Sequence, residues 1–276
     1  MNELVKSSSV RGLGPFSAFL QYRSLTLELT KRDILGRYRG ASFGLLWSLI
    51  SPFMMLGVYT FAFGFVLKSK WPPVHGHDVH FSVILFLALI VQGFFAECLN
   101  RSPHLITSQP NFVKRVIFPL EILPWTMLLS ALFHMAMNIV AFILLKLVIE
   151  GSVAWTIIYL PFVVLPLIFL TLGVSWLLAA LGVYLRDIGQ ITGVLATALL
   201  FMSSAMIPLS AVPENYRIFF KLNPLTFIID QAREVALWGG SPDWLGLFLY
   251  AIGGLAVAYI GYIWFNLTRK GFGDVL

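Results

Sequence analysis

An uncharged stretch that directly follows a basic cluster constrains this chain more than any other feature. Residues Phe43 to Leu67 contain no Asp, Glu, Lys or Arg, and Lys31, Arg32, Arg37 and Arg39 precede them. As a helix this stretch would be about 37 Å long, which crosses a hydrocarbon core of ~30 Å with some tilt. Basic residues beside a span remain in the cytoplasm. The junction therefore predicts an integral membrane protein whose first span starts on the cytoplasmic side.

The composition supports a membrane protein and excludes several other classes. Hydrophobic residues make up 58% of the 276 residues and charged residues 12%, a balance too apolar for a soluble domain. The net charge of +6 comes mainly from residues that flank apolar stretches, so it indicates topology and not a nucleic-acid partner. Cys98 is the only cysteine, which excludes an intrachain disulfide and a cysteine metal cluster. We expect no secretory signal peptide, because the N-terminal residues lack an apolar core and a cleavage site.

Six uncharged stretches are candidates for membrane spans. They are Phe43 to Leu67, Phe81 to Ala96, Ile122 to Leu145, Val153 to Leu185, Ile188 to Pro213 and Trp244 to Thr268. With a cytoplasmic N-terminus, thirteen of the 19 lysines and arginines fall on the cytoplasmic side, as the positive-inside rule requires. We expect an all-α integral membrane protein with one transmembrane domain and both termini in the cytoplasm. Its parts are a cytoplasmic N-terminus over 1–42, a six-span bundle over 43–268 and a cytoplasmic tail over 269–276.

The segment from Phe16 to Tyr38 has the pattern of an amphipathic helix. Phe16, Leu20, Leu27 and Ile34 share one helical face, whereas the opposite face is polar. Two pairs on this helix have i,i+4 spacing, Glu28 with Arg32 and Asp33 with Arg37. We interpret the segment as an interfacial helix on the cytoplasmic side, in contact with membrane lipid. The alternative is a solvated helix that packs on a soluble partner.

The segment from Glu214 to Asp243 is too charged to span, yet it contains an apolar patch over 222–229. Asn223 and Pro224 interrupt that patch. Irregular backbone at membrane depth is tolerated only where protein buries it or water reaches it. We therefore expect short re-entrant extracytoplasmic helices before the last span. A surface loop is the alternative.

The sequence lacks the motifs of common catalytic sites. We find no phosphate loop, no H-E-x-x-H zinc pair, no G-x-S-x-G elbow and no G-x-G-x-x-G fingerprint. The chain is therefore expected to have no nucleotide site, cofactor, metal or catalytic residue of its own. Among ionisable residues, Glu97 and Glu121 fall at helix ends, and Lys146 is expected to extend outward to the interface.

His134 is the exception, because it falls near the centre of a predicted span. Ser130, His134 and Asn138 recur at four-residue spacing and form one polar stripe. A proton relay would need a carboxylate at that depth, and the sequence offers none, so interhelical hydrogen bonding is favoured. Aromatic pairs on the first span, Tyr59 with Phe63 and Phe43 with Trp47, suit either sugar stacking in a conduit or ordinary interface and core packing.

Several stretches resemble one transporter family. The sequence TKRDILGRYRGASFGLLWSLISPFMMLGVYTFAFGFVL, residues 30–67, is similar to the first span of the membrane subunit of ABC transporters that export O-antigen, teichoic acid and related polysaccharides. FVKRVIFPLEILP (112–124), LGVYLRDIGQ (181–190) and KLNPLTFIIDQAREVALWG (221–239) resemble later parts of that subunit in the same order. The stretch from His75 to His80 matches no shared motif. Its three histidines suit either a metal site or an exposed polar loop.

The resemblance implies a non-enzymatic permease in the bacterial inner membrane. It implies a homodimer of six-span subunits, two separate ATPase subunits that hold ATP and Mg, and a glycan linked to undecaprenyl diphosphate as cargo. The loop from Arg101 to Val116 would couple to the ATPase, with a second contact after the fourth span, and the interfacial helix would guard the entrance. The expected coupling residues are Arg101, His104, Asn111, Lys114, Arg115, Arg186 and Asp187. The expected gate residues are Arg23, Arg32, Arg37 and Arg39, and the expected path residues are Trp47, Tyr59, Phe63, His134, Asn138, Asn223 and Pro224.

Other functions stay open at this point. The same kind of permease could export teichoic acid, a capsule or a small hydrophobic compound. A membrane-embedded glycan-modifying enzyme would need clustered carboxylates or histidines near one interface, and we find no such cluster. A secondary transporter is disfavoured because no carboxylate lies at mid-membrane depth.

Overall fold

The long helices and their order follow the apolar stretches of the sequence. The structure is a computed structural model and describes residues 14–67, 71–72, 79–113 and 118–275. Its α-helices are α1 Pro15–Gln21, α2 Arg23–Arg37, α3 Trp47–Tyr59, α4 Phe81–Arg101, α5 Pro110–Val113, α6 Leu123–Glu150, α7 Leu160–Tyr184, α8 Ile188–Phe201, α9 Arg217–Leu222, α10 Pro224–Ala236, α11 Trp244–Thr268 and α12 Phe272–Val275. All regular elements in the described ranges are helical, as predicted.

Five helical stretches are long and apolar enough to cross a membrane. They are Gly44–Val66, Phe81–His104, Leu120–Glu150, Trp155–Tyr184 and Trp244–Val275. The fifth predicted span, Ile188 to Pro213, is not one helix in the structure. Its helix α8 has only 14 residues, about 21 Å, which is short of a ~30 Å core. Turns and a short 3-10 helix, Leu209–Ala211, follow it.

The helices run antiparallel between two ends of the bundle. α4 and α7 finish at one end, which we name the inner end because the basic residues predict it to be cytoplasmic. α6 and α8 finish at the opposite, outer end. α4 occupies the centre, with 78% of its apolar stretch buried against only 11% for the stretch that contains α3. α3 therefore lies at the edge of the molecule.

α7 and the last span, α11, form the closest helix pair. A methyl carbon on Gly261 of α11 would lie 2.2 Å from the carbonyl oxygen of Gly173 in α7. A methyl carbon on Gly254 would lie 2.9 Å from the carbonyl oxygen of Pro166. Small residues allow membrane helices to approach backbone to backbone. Ala258, between the two glycines, is fully buried in the same contact.

The N-terminal segment differs in detail from its prediction. It forms two helices, α1 and α2, with a break at Tyr22. α2 packs on α6 through Thr26, Leu29 and Thr30, so its apolar residue Leu27 remains exposed. Exposed apolar side chains on a helix that packs against membrane spans are suited to contact with lipid.

Two charged residues, Lys146 and Arg233, are buried within the bundle. Lys146 is 3% exposed and bonds to Glu150 at 3.1 Å and to the carbonyl oxygen of Leu237 at 3.4 Å. The expectation that Lys146 extends outward is therefore wrong, because α6 continues through Glu150 and the backbone that follows α10 accepts a hydrogen bond from the amine. Arg233 of α10 is 0% exposed.

Candidate functional site

The two loops expected to couple to an ATPase contact each other at the inner end. The 3-10 helix Ser102–His104 follows α4 and packs against α7 and α8. A methyl carbon on Gly182 of α7 would lie 2.0 Å from the carbonyl oxygen of Pro103, and one on Gly189 of α8 would lie 2.5 Å from Nε2 of His104. The approach at Gly182 is to backbone atoms, so it requires glycine, whereas at Gly189 the neighbouring atoms belong to the His104 side chain. The structure thus joins the first predicted loop to the second.

Four of the seven predicted coupling residues are exposed on this joint surface. His104, Asn111, Arg186 and Asp187 are all exposed. Arg186 and Asp187 form no ion pair with any residue in the described ranges, so both charges are available to a partner. Lys114 and Arg115 lie outside the described residues.

Arg101, the seventh, faces inward and holds the N-terminal helix to the bundle. Its Nη2 atom donates to Asp33 Oδ1 at 2.7 Å and to Oδ2 at 2.8 Å, and its Nη1 atom donates to Glu97 at 3.1 Å. Glu97 also pairs with Arg37 of α2. These four residues form an ion-pair network between α2 and α4. The i,i+4 pair expected between Asp33 and Arg37 is thus replaced by pairs to α4.

The network sets the charge of Asp33. Burial would raise the pKa of this carboxyl, but the hydrogen bond from Arg101 and the charges of Arg101 and Arg37 outweigh it and lower the pKa below its ordinary value. Asp33 is therefore ionised at neutral pH. Reciprocal charge assistance makes such hydrogen bonds stronger than neutral ones.

A polar cavity of about 420 Å³ adjoins the network, between α2 and the facing ends of α4 and α6. Arg32, Arg37, Arg101 and Gln109 contribute to its wall. The Arg32 guanidinium also lies 5.9 Å from the ring centre of Phe112, which links α2 to the first coupling loop. Two of the four predicted gate arginines therefore line this cavity. The other two, Arg23 and Arg39, are exposed.

The predicted path residues do not form one cluster. Trp47, Tyr59 and Phe63 are half-buried along α3 and its continuation, where Trp47 packs on Phe43 at 5.9 Å between ring centres and Phe63 packs on Phe81 at 5.6 Å. They lie on the least buried of the five long apolar stretches.

His134 and Asn138 lie apart from those aromatics, on α6. His134 is buried and its Nδ1 atom lies 3.2 Å from the Tyr38 hydroxyl. This hydrogen bond joins α6 to the turn that follows α2, so it differs from the predicted hydrogen bond between two spans. Nε2 of His134 is buried without a hydrogen bond in the described part of the chain. Asn138 is half-buried.

Asn223 and Pro224 lie at the outer end, at the break between α9 and α10. The Asn223 amide donates to the carbonyl oxygens of Leu199 at 2.7 Å and Met202 at 2.9 Å. Its Oδ1 atom accepts from the backbone N–H of Leu225 at 2.9 Å, which caps α10. Asn223 therefore provides hydrogen-bond partners both for backbone carbonyls at the end of α8 and for a backbone N–H at the start of α10.

Arg233 has a comparable role that the sequence did not reveal as a site. Its Nη1 atom donates to Ser204 O at 2.6 Å, its Nη2 atom donates to Ala205 O at 2.7 Å, and its guanidinium lies 4.5 Å from the ring centre of Trp71. The signal that could have located it is its position on the apolar face of α10, between Ile229 and Ala236 at helical spacing. The Asp33–Arg101 pair offered no such signal.

No group of three or more potential metal ligands occurs within the ranges that the structure describes. The histidine stretch from His75 to His80 falls largely outside them, since residues 73–78 are not described.

Comparison with known proteins identifies the family. Residues 24–237, which include both predicted coupling loops, match the family described as ABC-2 type transporter. The chain is 24% identical over 256 residues to the O-antigen export system permease protein RfbA of Myxococcus xanthus, covering 92% of this chain and 96% of that protein. It is 21% identical over 254 residues to the protein of the same name from Klebsiella pneumoniae, covering 91% and 95%. It is 25% identical over 243 residues to the polysialic acid transport protein KpsM of Escherichia coli, covering 87% and 92%. Since the family match extends over well more than half of the sequence, the chain belongs to the ABC-2 type transporter family.

Proposed function

We propose that the chain is the permease subunit of an exporter that carries a lipid-linked polysaccharide of the O-antigen type across the bacterial inner membrane. The observation that carries this proposal is the nearly full-length similarity to two proteins named as O-antigen export permeases. A capsular polysaccharide is the second candidate cargo, favoured by the similarity to a polysialic acid transport protein. Teichoic acid and small hydrophobic compounds have no comparable support.

ATP hydrolysis belongs, in this proposal, to two copies of a separate ATPase that dock at the inner end. The joined coupling loops support this, because they present His104, Arg186 and Asp187 on one exposed surface. The contact between Gly182 and Pro103 leaves no free space, so a push on this surface would move α4 and α7 together. Rigid helices convey such movements as rigid-body displacements.

The proposed topology has six crossings, with both termini in the cytoplasm. α8 and the irregular residues 202–213 make the fifth crossing, and α9 with α10 form the re-entrant segment. Such a broken crossing needs partners for its backbone carbonyls within the membrane. Asn223 and Arg233 supply them at Leu199, Ser204 and Ala205.

The functional unit is proposed to be a homodimer. The helical continuation of α3 over Thr60–Val66 exposes large apolar side chains such as Phe61 and Phe65. Little of the surface of this span is covered by the rest of the chain. A second copy would cover this span and complete a path that the aromatic residues of one α3 cannot enclose.

A gene deletion tests the proposed function. We expect the deletion strain to lose its surface polysaccharide and to accumulate the lipid-linked glycan on the cytoplasmic leaflet. A plasmid copy should restore export only when the partner ATPase is active, and a catalytically dead ATPase provides the control. Unchanged surface polysaccharide in the deletion strain would refute the proposal.

A further inference from the structure

A pocket of about 510 Å³ lies at the outer end, away from every residue considered so far for coupling or gating. It is formed by the end of α6, the loop over 152–154 and the residues that follow α10. Its lining is Val79, Lys146, Glu150, Ser152, Val153, Ala154, Leu237, Trp238 and Gly239. We name it the Lys146 pocket. Its volume falls within the range of about 300–1,000 Å³ that is typical of small-molecule sites.

The polar groups of the Lys146 pocket are incompletely satisfied. Glu150 Oε1 is buried and accepts no hydrogen bond from any described residue, whereas Glu150 Oε2 lies 3.1 Å from Lys146 Nζ. The Lys146 ammonium has three N–H donors. In the described part of the chain it has two acceptors, Glu150 and the carbonyl oxygen of Leu237. One donor and one acceptor thus remain for a ligand.

One hydrogen bond and two glycine turns shape the walls of the pocket. Thr156 donates to the carbonyl oxygen of Val235 at 2.5 Å, which ties the loop after α6 to α10. Gly151 ends α6 in the left-handed region at φ 69°, and Gly239 turns the chain after Trp238 at φ 72°. A preformed pocket loses less entropy on binding.

The chemistry of the lining distinguishes between ligand classes. Lys146 and Glu150 neutralise each other, so the pocket does not attract an anion such as a phosphate. A sugar hydroxyl both donates and accepts, and it can bond to the free N–H and to Oε1 together. The half-buried indole of Trp238 adds a flat apolar surface for the face of a sugar ring.

We propose that the Lys146 pocket binds a saccharide unit of the exported polysaccharide as it leaves the protein. This inference rests on the proposed function, since it takes the polysaccharide as cargo. It assigns Lys146 and Glu150 to the hydroxyl groups and Trp238 to the ring face.

Binding to the full-length chain in lipid nanodiscs tests the pocket. The probe is the host strain's own polysaccharide after mild acid has removed its lipid, measured by saturation-transfer NMR and by titration. We expect Trp238→Leu, Glu150→Gln and the double variant Lys146→Met with Glu150→Gln to weaken binding by at least about tenfold. Trp155→Leu and Lys221→Met are matched controls, because both residues are exposed and neither lines the pocket. Helical circular dichroism and size-exclusion elution verify folding.

Three results would overturn the proposal: no binding by the natural chain, unchanged binding by the folded Trp238→Leu variant, or displacement of the polysaccharide by sodium pyrophosphate. The last would make the pocket an anion site. If deletion of the gene abolishes surface polysaccharide while the variants bind normally, the pocket alone is refuted. If deletion leaves surface polysaccharide intact, the proposed function is refuted whatever the pocket binds.

Discussion

Asp33 and Arg101 link parts of the chain that are 68 residues apart in sequence. Both oxygens of the carboxylate face one nitrogen of the guanidinium, and Glu97 holds the other nitrogen in place. The pair is about one-third exposed on each side, so solvent screens part of its attraction. The main effect of the pair is to fix the position of the N-terminal helix α2 against the central span α4.

The pair should make a small, pH-dependent contribution to stability. The folded-state pKa of Asp33 is below its ordinary value of 3.8. The contribution is therefore complete above pH 3.8 and is lost as the pH falls through the lower folded-state pKa. Thermal unfolding of the natural chain and Asp33→Asn should differ by a constant amount between pH 8 and 5, and the difference should vanish in stronger acid. Glu28→Gln, an exposed acid on the same helix, is the control. A difference that grows as the pH falls would contradict the assignment.

Arg233 should contribute much more to stability, because its guanidinium is fully buried. Arg233→Met would leave the carbonyl oxygens of Ser204 and Ala205 without their donor, which should destabilise the protein by about 3–5 kcal/mol. Arg217 also donates to two carbonyl oxygens of the preceding linker, but it is about one-third exposed. Arg217→Met should therefore cost about 1 kcal/mol or less. If denaturant unfolding gave equal losses of stability for Arg233→Met and Arg217→Met, burial of the guanidinium would not determine the size of the loss.

Among the elements, α7 and α11 depend on the absence of side chains at their contact. Gly261→Ala would place a carbon 2.2 Å from the carbonyl oxygen of Gly173, so the two helices would have to separate. We expect a loss of about 2–3 kcal/mol, comparable to overpacking a core. Gly253→Ala tests the interpretation, because a methyl group there meets no atom within 4 Å. Thermal unfolding in detergent is the measurement. If Gly253→Ala destabilised the protein as much as Gly261→Ala, close contact between the helices would not explain the loss.

Apolar runs predicted the existence and order of the long helices, but charge misled the prediction of their ends. The predicted third span stops before the charged residues Lys146 and Glu150, whereas in the structure the two pair at i,i+4 spacing and α6 continues through both. α8 ends at Phe201 although no proline occurs before Pro208. The carbonyl groups freed there accept hydrogen bonds from Asn223, which caps α10, and from Arg233 within α10. A periodic pattern within one segment cannot reveal such long-range partners.

At the scale of the whole molecule, the fold divides the charged residues that were predicted to couple to an ATPase into two kinds. Arg101 lies in the internal network, whereas Arg186 and Asp187 face outward. The sequence placed all three in loops, but loop position alone does not determine which charges a partner meets. The division required the fold, because Asp33 arrives from the N-terminal helix.

Reversing the outward charges should disturb the partner and leave the permease intact. We expect Arg186→Glu and Asp187→Lys to reduce recovery of the ATPase in pull-downs at least about fivefold and to reduce surface polysaccharide, with normal amounts of permease in the membrane. Lys270→Glu reverses another exposed charge in the predicted cytoplasmic tail and should have little effect. Normal ATPase recovery and export by both loop variants would refute this role.

The folded protein offers almost no accessible thiol to a cysteine-modifying reagent. Cys98 is the only cysteine, and its side chain is 0% exposed within the packed core around α4. A maleimide reacts with thiolates that it can reach, so the folded natural chain should label very slowly and the unfolded chain should take up one reagent per molecule. The same sulfur atom thus permits introduced cysteines to be probed without its removal, and its own labelling counts the molecules that have lost their fold.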